Sequence, residues 1–422
     1  MLYSLFSYFN DVLGARLFTY ISFRAILAGI MALCIGIWFG KYFIKWMKKH
    51  NIKETLREDD KKADSEKANV PTMGGIIVIL AILIPCLLLG KLTNVYMILL
   101  LITTILMGIL GFVDDYIKTF RHNKNGLNGW WKIAAQVTLG LIVGLTLRYS
   151  PAVTMNEVVT HHIENNVEVF EKSPEIKSTQ TTIPFVKHHN FNYADLFSWL
   201  DDKYKYPAAW IFFVLLTVFV VAAVSNGANL NDGMDGMCAG NSAIIGVALM
   251  ALAYMSGSVV WASYFDVMYI PGSEELTVFL AAFIGALIGY IWWNAYPAEV
   301  FLGDTGSLTI GGIIGVCAMV MHKELMIPVL CGIFLMESVS VIMQKSIYKW
   351  AKKHGKRMRI WRKTPLHDHF RTSVVKMQEN DPTCSVFFNN DSYLLKESKI
   401  VLRFCIITLI LAAITILTLK IR

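Results

Sequence analysis

The chain has 422 residues, 55% of them hydrophobic, and a mean hydropathy of +0.50. Soluble globular domains rarely reach such values, so the composition excludes a soluble protein and indicates an integral membrane protein. The formal net charge is +8, but the positions of the charges along the chain are more informative than their sum.

Apolar stretches of roughly 20 residues recur along the chain, and each is long enough to cross a bilayer as a helix. We predict about ten such helices, which makes the fold class an all-α polytopic membrane protein with a single domain over residues 1–422. The predicted spans are 17–44, 72–90, 95–113, 132–149, 207–225, 237–256, 276–293, 307–321, 325–348 and 400–419. Lysines follow the first span rather than precede it, so we do not expect a cleaved signal peptide.

The basic residues predict the orientation of the chain in the membrane. Nine lysines and arginines lie between Lys41 and Lys67, which marks the segment after the first span as cytoplasmic. Alternation through ten spans then places both termini on the periplasmic side. Residues 150–206 become an external insertion, and residues 349–399 become a cytoplasmic loop. The loop begins with the strongly basic stretch 349–363, which agrees with this assignment.

The external insertion alternates Val with Glu and Thr with Ile, which predicts a short β-hairpin lying over the membrane. Two histidine pairs, His161–His162 and His188–His189, are ordinary solvated loop residues or, as an alternative, metal ligands. The seven cysteines form no Cys-x-x-Cys pair, so we predict neither a disulfide framework nor a zinc site.

Polar motifs collect at the membrane edges that the charge pattern places in the cytoplasm. Pro71-Thr72-Met73-Gly74-Gly75 opens the second span, and its glycines permit close approach of another helix or a ligand. Asp114 and Asp115 end the third span within the sequence GFVDDYIK. Adjacent carboxylates repel each other unless a cation or a proton intervenes, and Lys118 is one helical turn away from Asp114. The pair is a phosphate or metal site or, alternatively, an interfacial charge cluster.

The segment 226–236, NGANLNDGMDG, supplies amides, carboxylates and glycines in consecutive positions. A calcium loop of the EF-hand type is excluded, because no glutamate stands at the twelfth position counted from Asn231. A ligand-binding loop fits better, since carboxylates accept hydrogen bonds from a nucleobase imide and amides bind ribose or phosphate.

Asp304 lies between Gly303 and Gly306 in the segment 294–307, NAYPAEVFLGDTGS, which opens onto a helix. Free backbone N–H groups beside a carboxylate suit a magnesium–phosphate complex, although a simple N-cap is the alternative. The segment 364–370, TPLHDHF, offers two histidines for metal or phosphate contact. Glu337 is a charge inside the ninth span and is therefore a functional candidate.

Taken in order, PTMGG, GFVDDYIK, NxxNLNDGMDG, NAYPAEVFLGDTGS and TPLHDHF resemble the motifs of the phospho-N-acetylmuramoyl-pentapeptide-transferase family. This family belongs to the polyprenyl-phosphate N-acetylhexosamine-1-phosphate transferase superfamily, and the resemblance covers nearly the whole chain. It implies a ten-helix, magnesium-dependent enzyme of the bacterial cytoplasmic (inner) membrane, with its active site facing the cytoplasm. The implied reaction moves phospho-MurNAc-pentapeptide from UDP-MurNAc-pentapeptide to undecaprenyl phosphate, giving lipid I and UMP for peptidoglycan synthesis. The implied partners are these substrates, the lipid bilayer and a second copy in a homodimer, without nucleic acid.

The resemblance also implies roles for individual residues. Asp304 is expected to bind Mg²⁺, and Asp114 is the candidate base for the lipid phosphate. The expected catalytic residues are Asp114, Asp115, Asp304 and His367. The expected substrate-binding residues are Lys67, Thr72, Lys118, Lys132, Asn229, Asp232, Asp235, Asn294 and His369, of which the two lysines at 118 and 132 hold phosphate charge.

Three features depart from the family pattern. Asp368 stands where the family usually has the middle of three consecutive histidines, so that position cannot act here as a histidine. The external insertion 150–206 is longer than usual, and residues 371–399 form a polar extension without an assigned role. The rival functions are a related transferase for another UDP-amino-sugar, a membrane transporter and an intramembrane aspartyl protease. Direct attack by the lipid phosphate and a two-step route through a phosphorylated Asp both remain open.

Overall fold

The computed structural model describes residues 15–50, 52, 70–121, 123, 125–157, 159–164, 167–184, 190–373, 385–388 and 394–420. Within these residues the chain is mostly helical. The α-helices are α1 (Ile21–Lys49), α2 (Gly75–Leu89), α3 (Val95–Phe120), α4 (Gly129–Tyr149), α5 (Asp202–Leu230), α6 (Met237–Gly257), α7 (Val259–Phe265), α8 (Glu275–Asn294), α9 (Gly303–Val320), α10 (Ile327–Leu330), α11 (Gly332–Lys353), α12 (Leu366–Arg371) and α13 (Glu397–Leu417). The strands are β1 (Val159–Glu164), β2 (Val167–Lys172), β3 (Gln180–Thr182), β4 (Asn190–Asn192), β5 (Met358–Arg359) and β6 (Ser385–Val386).

Each of the ten predicted spans corresponds to helix in the structure, which confirms the all-α polytopic fold. Among the described residues, eight helices are long and apolar enough to cross a membrane. The ninth predicted span is broken, because Glu324–Leu330 and Gly332–Lys353 meet at 78°. The remaining one, α2, has only 15 residues. The length of an apolar stretch does not show where a helix bends or how many of its residues are helical. The bend before α11 and the short α2 were therefore not predictable from the sequence.

Helix α9 lies at the centre of the bundle, and every residue from Thr305 to Val320 is buried. It packs against α2, α3 and α5. Small residues permit this, since a Cβ at Gly75 of α2 or at Gly111 of α3 would collide with the backbone of α9. Close packing through small residues is the usual way in which membrane helices associate, because lipid provides no hydrophobic drive between them.

The predicted β-hairpin in the insertion is present. Strands β1 and β2 pair antiparallel from Val159 opposite Lys172 to Glu164 opposite Val167. Strands β3 and β4 form a second short antiparallel pair, and Thr182 N donates to the carbonyl of His322 at 3.0 Å. The insertion is therefore hydrogen-bonded to the end of α9. The pair His161–His162 lies on β1, whereas His188–His189 lies outside the described residues.

The six described cysteines are free thiols, and Cys384 lies outside the described residues.

After α11 the chain folds back along that helix. Gln344 anchors the return, because its side chain accepts from Ile360 N at 3.0 Å and donates to Trp361 O at 3.0 Å. This return carries the histidine segment of α12 back to the bundle.

Candidate active site

Four helix ends meet at one side of the bundle and bring the predicted charged residues together. Asp114 and Lys118 lie in the last two turns of α3, Lys132 in the first turn of α4, Asn229 in the last turn of α5 and Asp304 in the first turn of α9. Antiparallel neighbours place the carboxyl end of one helix beside the amino end of the next. The sequence predicts that the polar motifs converge on one face, and the structure brings these five residues together.

Two lysines and two aspartates form a closed set of ion pairs. Lys118 Nζ lies 2.6 Å from Asp114 Oδ2 and 3.1 Å from Asp304 Oδ2. Lys132 Nζ lies 3.0 Å from Asp114 Oδ2 and 2.6 Å from Asp304 Oδ2. Asp114 is fully buried, whereas the side chains of Lys118, Lys132 and Asp304 keep 24, 22 and 15% of their surface exposed. The lysines and Asp304 are therefore accessible to a ligand, while the buried Asp114 pairs with both ammonium groups from the interior of the bundle.

Asn229 fixes the second oxygen of Asp304. Its Nδ2 donates to Asp304 Oδ1 at 2.8 Å and to Ser307 Oγ at 3.0 Å. Ser307 Oγ donates in turn to the carbonyl of Gly303 at 3.0 Å. Asn229 is expected from the sequence as a nucleotide-side residue, and the structure places it directly on Asp304.

Asp115 caps the amino end of α9 from the neighbouring helix. Its two carboxylate oxygens accept from Asp304 N at 3.1 Å and from Thr305 N at 2.8 Å, and Thr305 Oγ1 donates to it at 2.6 Å. The first N–H groups of a helix have no partner within the helix, and a carboxylate satisfies both their hydrogen bonds and the helix dipole. Asp115 is 3% exposed, so this contact locks the position of Asp304 relative to α3.

The three carboxylates Asp114, Asp115 and Asp304 place ligand oxygens within 4.8 Å of one another. An all-oxygen donor set fits a hard divalent cation, because such ions prefer carboxylate oxygens and water. Asp304 is the most exposed of the three and has Lys118, Lys132 and Asn229 already around it. The acidic cluster is thus suited to hold a metal next to an anionic ligand.

The motif at the start of α2 pairs with the segment before α9 through the backbone. Gly74 N donates to Phe301 O at 2.8 Å, Gly75 N to Leu302 O at 2.9 Å, and Phe301 N to Pro71 O at 2.8 Å. Thr72 is buried within this pairing. The motif therefore supports the loop that carries Asp304. Lys67 lies outside the described residues.

The loop Asn231–Gly236 is held to the segment 294–300 by its buried members. Asp235 Oδ2 accepts from Ala298 N at 3.1 Å, and Gly236 N donates to Asn294 Oδ1 at 3.0 Å. Asn294 Nδ2 donates to Val300 O at 2.8 Å. Asp235 and Asn294 thus shape the loop, whereas Asp232 is only half-buried and Gly233 is exposed.

The histidine segment packs beneath the same loop. His367, Asp368 and His369 are 1, 6 and 7% exposed. His367 Nε2 occupies the place where a Cβ of Gly233 would lie, so the histidine touches the backbone of the loop Asn231–Gly236. His369 Nδ1 accepts from Arg362 N at 3.3 Å. Burial, together with the charge of Arg362, lowers the pKa of His369 to about 4 and keeps its ring neutral.

Asp368 forms ion pairs where a histidine is usual. Arg371 Nη2 donates to its Oδ1 at 2.8 Å, and Lys363 Nζ lies 3.3 Å from its Oδ2. Burial alone would raise the pKa of Asp368, but His367, Lys363 and Arg371 hold it below its ordinary value. Arg371 Nη1 also lies 3.5 Å from Glu397 Oε2, and Glu397 Oε1 accepts from Asp235 N at 3.0 Å. This sequence of contacts ties α12 to α13 and to the loop.

Sequence reasoning missed several members of the site. Arg371 and Glu397 lie in segments without a recognised motif, and their pairing depends on the fold of distant parts of the chain. Thr305 and Ser307 belong to the quoted segment 294–307, where a hydroxyl beside a helix start is an available signal for capping.

Comparison with known proteins identifies the class that this fold and site define. Residues 97–322 match the family model of glycosyl transferase family 4. Over the full length of both chains, the protein is 57% identical to the phospho-N-acetylmuramoyl-pentapeptide-transferase of Phocaeicola vulgatus. It is 56% identical to that of Bacteroides thetaiotaomicron and 47% identical to that of Flavobacterium psychrophilum, again over both full lengths. The chain therefore belongs to the phospho-N-acetylmuramoyl-pentapeptide-transferase family within glycosyl transferase family 4.

Proposed function

We propose that this protein transfers phospho-MurNAc-pentapeptide from UDP-MurNAc-pentapeptide to undecaprenyl phosphate, giving lipid I and UMP for peptidoglycan synthesis. The observation that carries the proposal is the set Asp114, Lys118, Lys132 and Asp304, joined by ion pairs of 2.6–3.1 Å at the end of four helices. Family membership indicates the substrate class. The two lysines and two aspartates provide charges that can bind two phosphate-bearing substrates.

Both substrates are anionic, so their approach requires cations at the site. Lys118 and Lys132 each keep about a quarter of their surface exposed and are aimed at Asp304. They are placed to hold the diphosphate of the donor and the charge that develops on departing UMP. Since Asp114 is buried under both ammonium groups, it keeps them oriented whichever ligand they bind.

Mg²⁺ is the expected cofactor, with Asp304 as its principal ligand. When bound, such an ion neutralises phosphate charge and polarises the phosphorus centre that is attacked. Asp304 is fixed for this role on both sides, because Asn229 donates to Oδ1 and Asp115 caps the helix that carries it. A phosphate oxygen of the lipid forms the new bond to phosphorus, and the bond to the UMP oxygen breaks.

Asp114 is the candidate base only if the lipid phosphate arrives with a proton. Its Oδ1 accepts from Leu127 N at 2.6 Å and its Oδ2 lies between the two lysines, so a proton transfer requires that the lysines turn toward the substrate. A two-step route through a phosphorylated aspartate is the alternative. Incubation with donor alone separates them, because only the two-step route releases UMP and leaves a labelled protein.

The nucleotide is proposed to lie over the loop Asn231–Gly236. Asp232 and Gly233 form its accessible part, with Asn229 on the side of Asp304. Asp235 and Asn294 are proposed to act by holding the loop in shape. Thr72 and His369 remain proposed contributors, and so does Lys67, which lies outside the described residues.

The lipid-borne acceptor requires a site at the membrane edge, which is where the ends of membrane-spanning helices are expected to lie. The basic stretch 349–363 near the histidine segment favours the cytoplasmic side of the inner membrane. A homodimer is proposed from the family pattern alone. The related transferase for another UDP-amino-sugar remains the second candidate, because it would use the same aspartates and lysines.

The purified protein in detergent or nanodiscs tests the proposal. We expect UMP release from UDP-MurNAc-pentapeptide that requires both Mg²⁺ and undecaprenyl phosphate, and no release from UDP-N-acetylglucosamine. Preference for the simpler sugar would favour the second candidate. UMP release without polyprenyl phosphate would contradict the one-step route.

A further inference from the structure

Glu337 is a carboxylate inside the bundle to which the proposed reaction gives no role. It lies on α11 and is fully buried. An ionisable group within a membrane helix is costly unless it is paired, and such groups usually face a partner or a functional cavity. Its surroundings therefore indicate what it does.

The partner of Glu337 is the first histidine of the segment His367–His369. Glu337 Oε1 lies 3.2 Å from His367 Nδ1 and accepts from the backbone N of His367 at 3.3 Å. A single carboxylate oxygen thus contacts both the ring and the main chain of one residue. The main-chain hydrogen bond fixes the start of α12, and the Nδ1 edge of the ring packs against the same oxygen without a hydrogen bond.

The opposite edge of the imidazole faces the loop Asn231–Gly236. His367 Nε2 occupies the position that a Cβ at residue 233 would take, so glycine is required there to admit the ring. His367 is 1% exposed, while Gly233 is exposed. The imidazole is consequently held between a buried carboxylate and the main chain of the loop.

We infer that Glu337 is a positioning residue, which holds the Nδ1 edge of His367 so that Nε2 is presented to the loop Asn231–Gly236. The inference rests on the proposed function for its kinetic consequences. Because the ring is 1% exposed and its Nε2 lies against Gly233, the imidazole supports the loop by packing, and Glu337 keeps the ring in that place. In other sites, partners that orient a functional histidine contribute about 10–100-fold when removed.

A double-mutant cycle in the full-length protein tests this role. Glu337→Met removes the acceptor but fills the same space with an apolar side chain that a membrane helix accepts well. We expect kcat/KM to fall by about 30-fold, within the range for orienting partners. Glu337→Gln retains a carbonyl oxygen and should recover most of the loss. Ser340→Ala, one turn further along α11, is the matched control and should stay within about twofold of the parent.

The same Glu337→Met change is then made in a His367→Asn background. If Glu337 acts through His367, it should cost less than about threefold there, because coupled residues are non-additive. An equal loss in both backgrounds would overturn the inference. If the parent protein shows no turnover, the proposed function fails first. The inference is then read from ¹⁵N-labelled histidine spectra, where Glu337→Met must shift the His367 ring signals because the ring loses its packing partner, and unchanged signals would refute it.

Discussion

The two ends of helix α9 both carry charged clusters, but they differ in access to ligand. At the Gly303 end, Asp304 and its two lysines keep 15–24% of their side-chain surface exposed. At the other end, His322, Lys323 and Glu324 are 2, 1 and 3% exposed. Charge alone therefore does not define the site, since only the first cluster can exchange its internal partners for a substrate.

The buried cluster is hydrogen-bonded to the insertion 150–206. Lys323 Nζ donates to Thr182 Oγ1 at 2.6 Å, and Tyr193 Oη donates to Glu324 Oε1 at 2.8 Å. Burial, followed by the nearby charge of Glu324, raises the pKa of Tyr193 above its ordinary value. We interpret this end as an anchor that holds the insertion on the bundle, and the other end as the reactive one.

Asp304→Asn is the substitution with the largest expected effect on this contrast. It removes one carboxylate oxygen of the proposed metal ligand and half of the anionic charge that orients Lys118 and Lys132. We expect UMP release to fall by at least about 10³-fold, because charge stabilisation is the main source of catalysis in such sites. The unfolding temperature should change by no more than a few degrees. Retained turnover would refute the assignment of Asp304 as the metal ligand.

Asp115→Ala sharpens the contrast within the Gly303 end, where Asp115 caps helix α9 and Asp304 is the proposed metal ligand. The substitution leaves the buried N–H groups of Asp304 and Thr305 without their acceptor, which costs about 1–3 kcal/mol of unfolding free energy per unsatisfied group. We expect a lower unfolding temperature and at least about tenfold slower turnover from misplacement of Asp304. A protein of normal stability without turnover would instead indicate that Asp115 contacts the substrate.

Lys323→Met tests the buried end and should leave turnover within about twofold of the parent. Burial lowers the pKa of Lys323 to about 8 from its usual 10.5, although Glu324 opposes the shift. Between these pH values the unfolded chain holds a proton that the folded protein has released, so this group makes the protein more stable as the pH rises. The variant should lack that rise in thermal unfolding scans between about pH 8 and 10. A large loss of turnover would contradict the anchor interpretation.

Asp368→Asn has the smallest expected effect, because its partners Lys363 and Arg371 are 44 and 31% exposed. Ion pairs of this kind contribute about 0–1 kcal/mol. We expect a slightly lower unfolding temperature and turnover within about threefold of the parent, and a similar result for Asp368→His. Abolished turnover in both variants, with folding intact, would mean that Asp368 itself takes part in the reaction.

Local patterns in the sequence were sufficient for much of the fold and for part of the site. Apolar run lengths gave the helices, and the spacing of Asp114 and Lys118 gave their ion pair, which the structure confirms at 2.6 Å. The charge pattern, which placed the polar motifs at the same membrane edges, predicted their convergence. The cap that Asp115 places on α9 was not predictable, because it depends on how two helices far apart in the chain cross.

Other features were also beyond sequence reasoning for physical reasons. The 78° break before α11 occurs within an apolar stretch, and hydropathy contains no information about the direction of the helix axis. The contact of Arg371 with Glu397 joins two segments separated by residues that carry no periodic pattern. Such contacts depend on the packing of the whole bundle, so a sequence motif cannot predict them.

The burial of α9 from Thr305 to Val320 also limits how the protein can change during evolution. A helix without a solvent- or lipid-facing side offers few positions where a substitution is neutral, because each added atom must displace a neighbour. We therefore expect little sequence variation along this helix. Variation should arise instead in the surrounding loops, where the exposed Gly233 and the half-buried Asp232 lie.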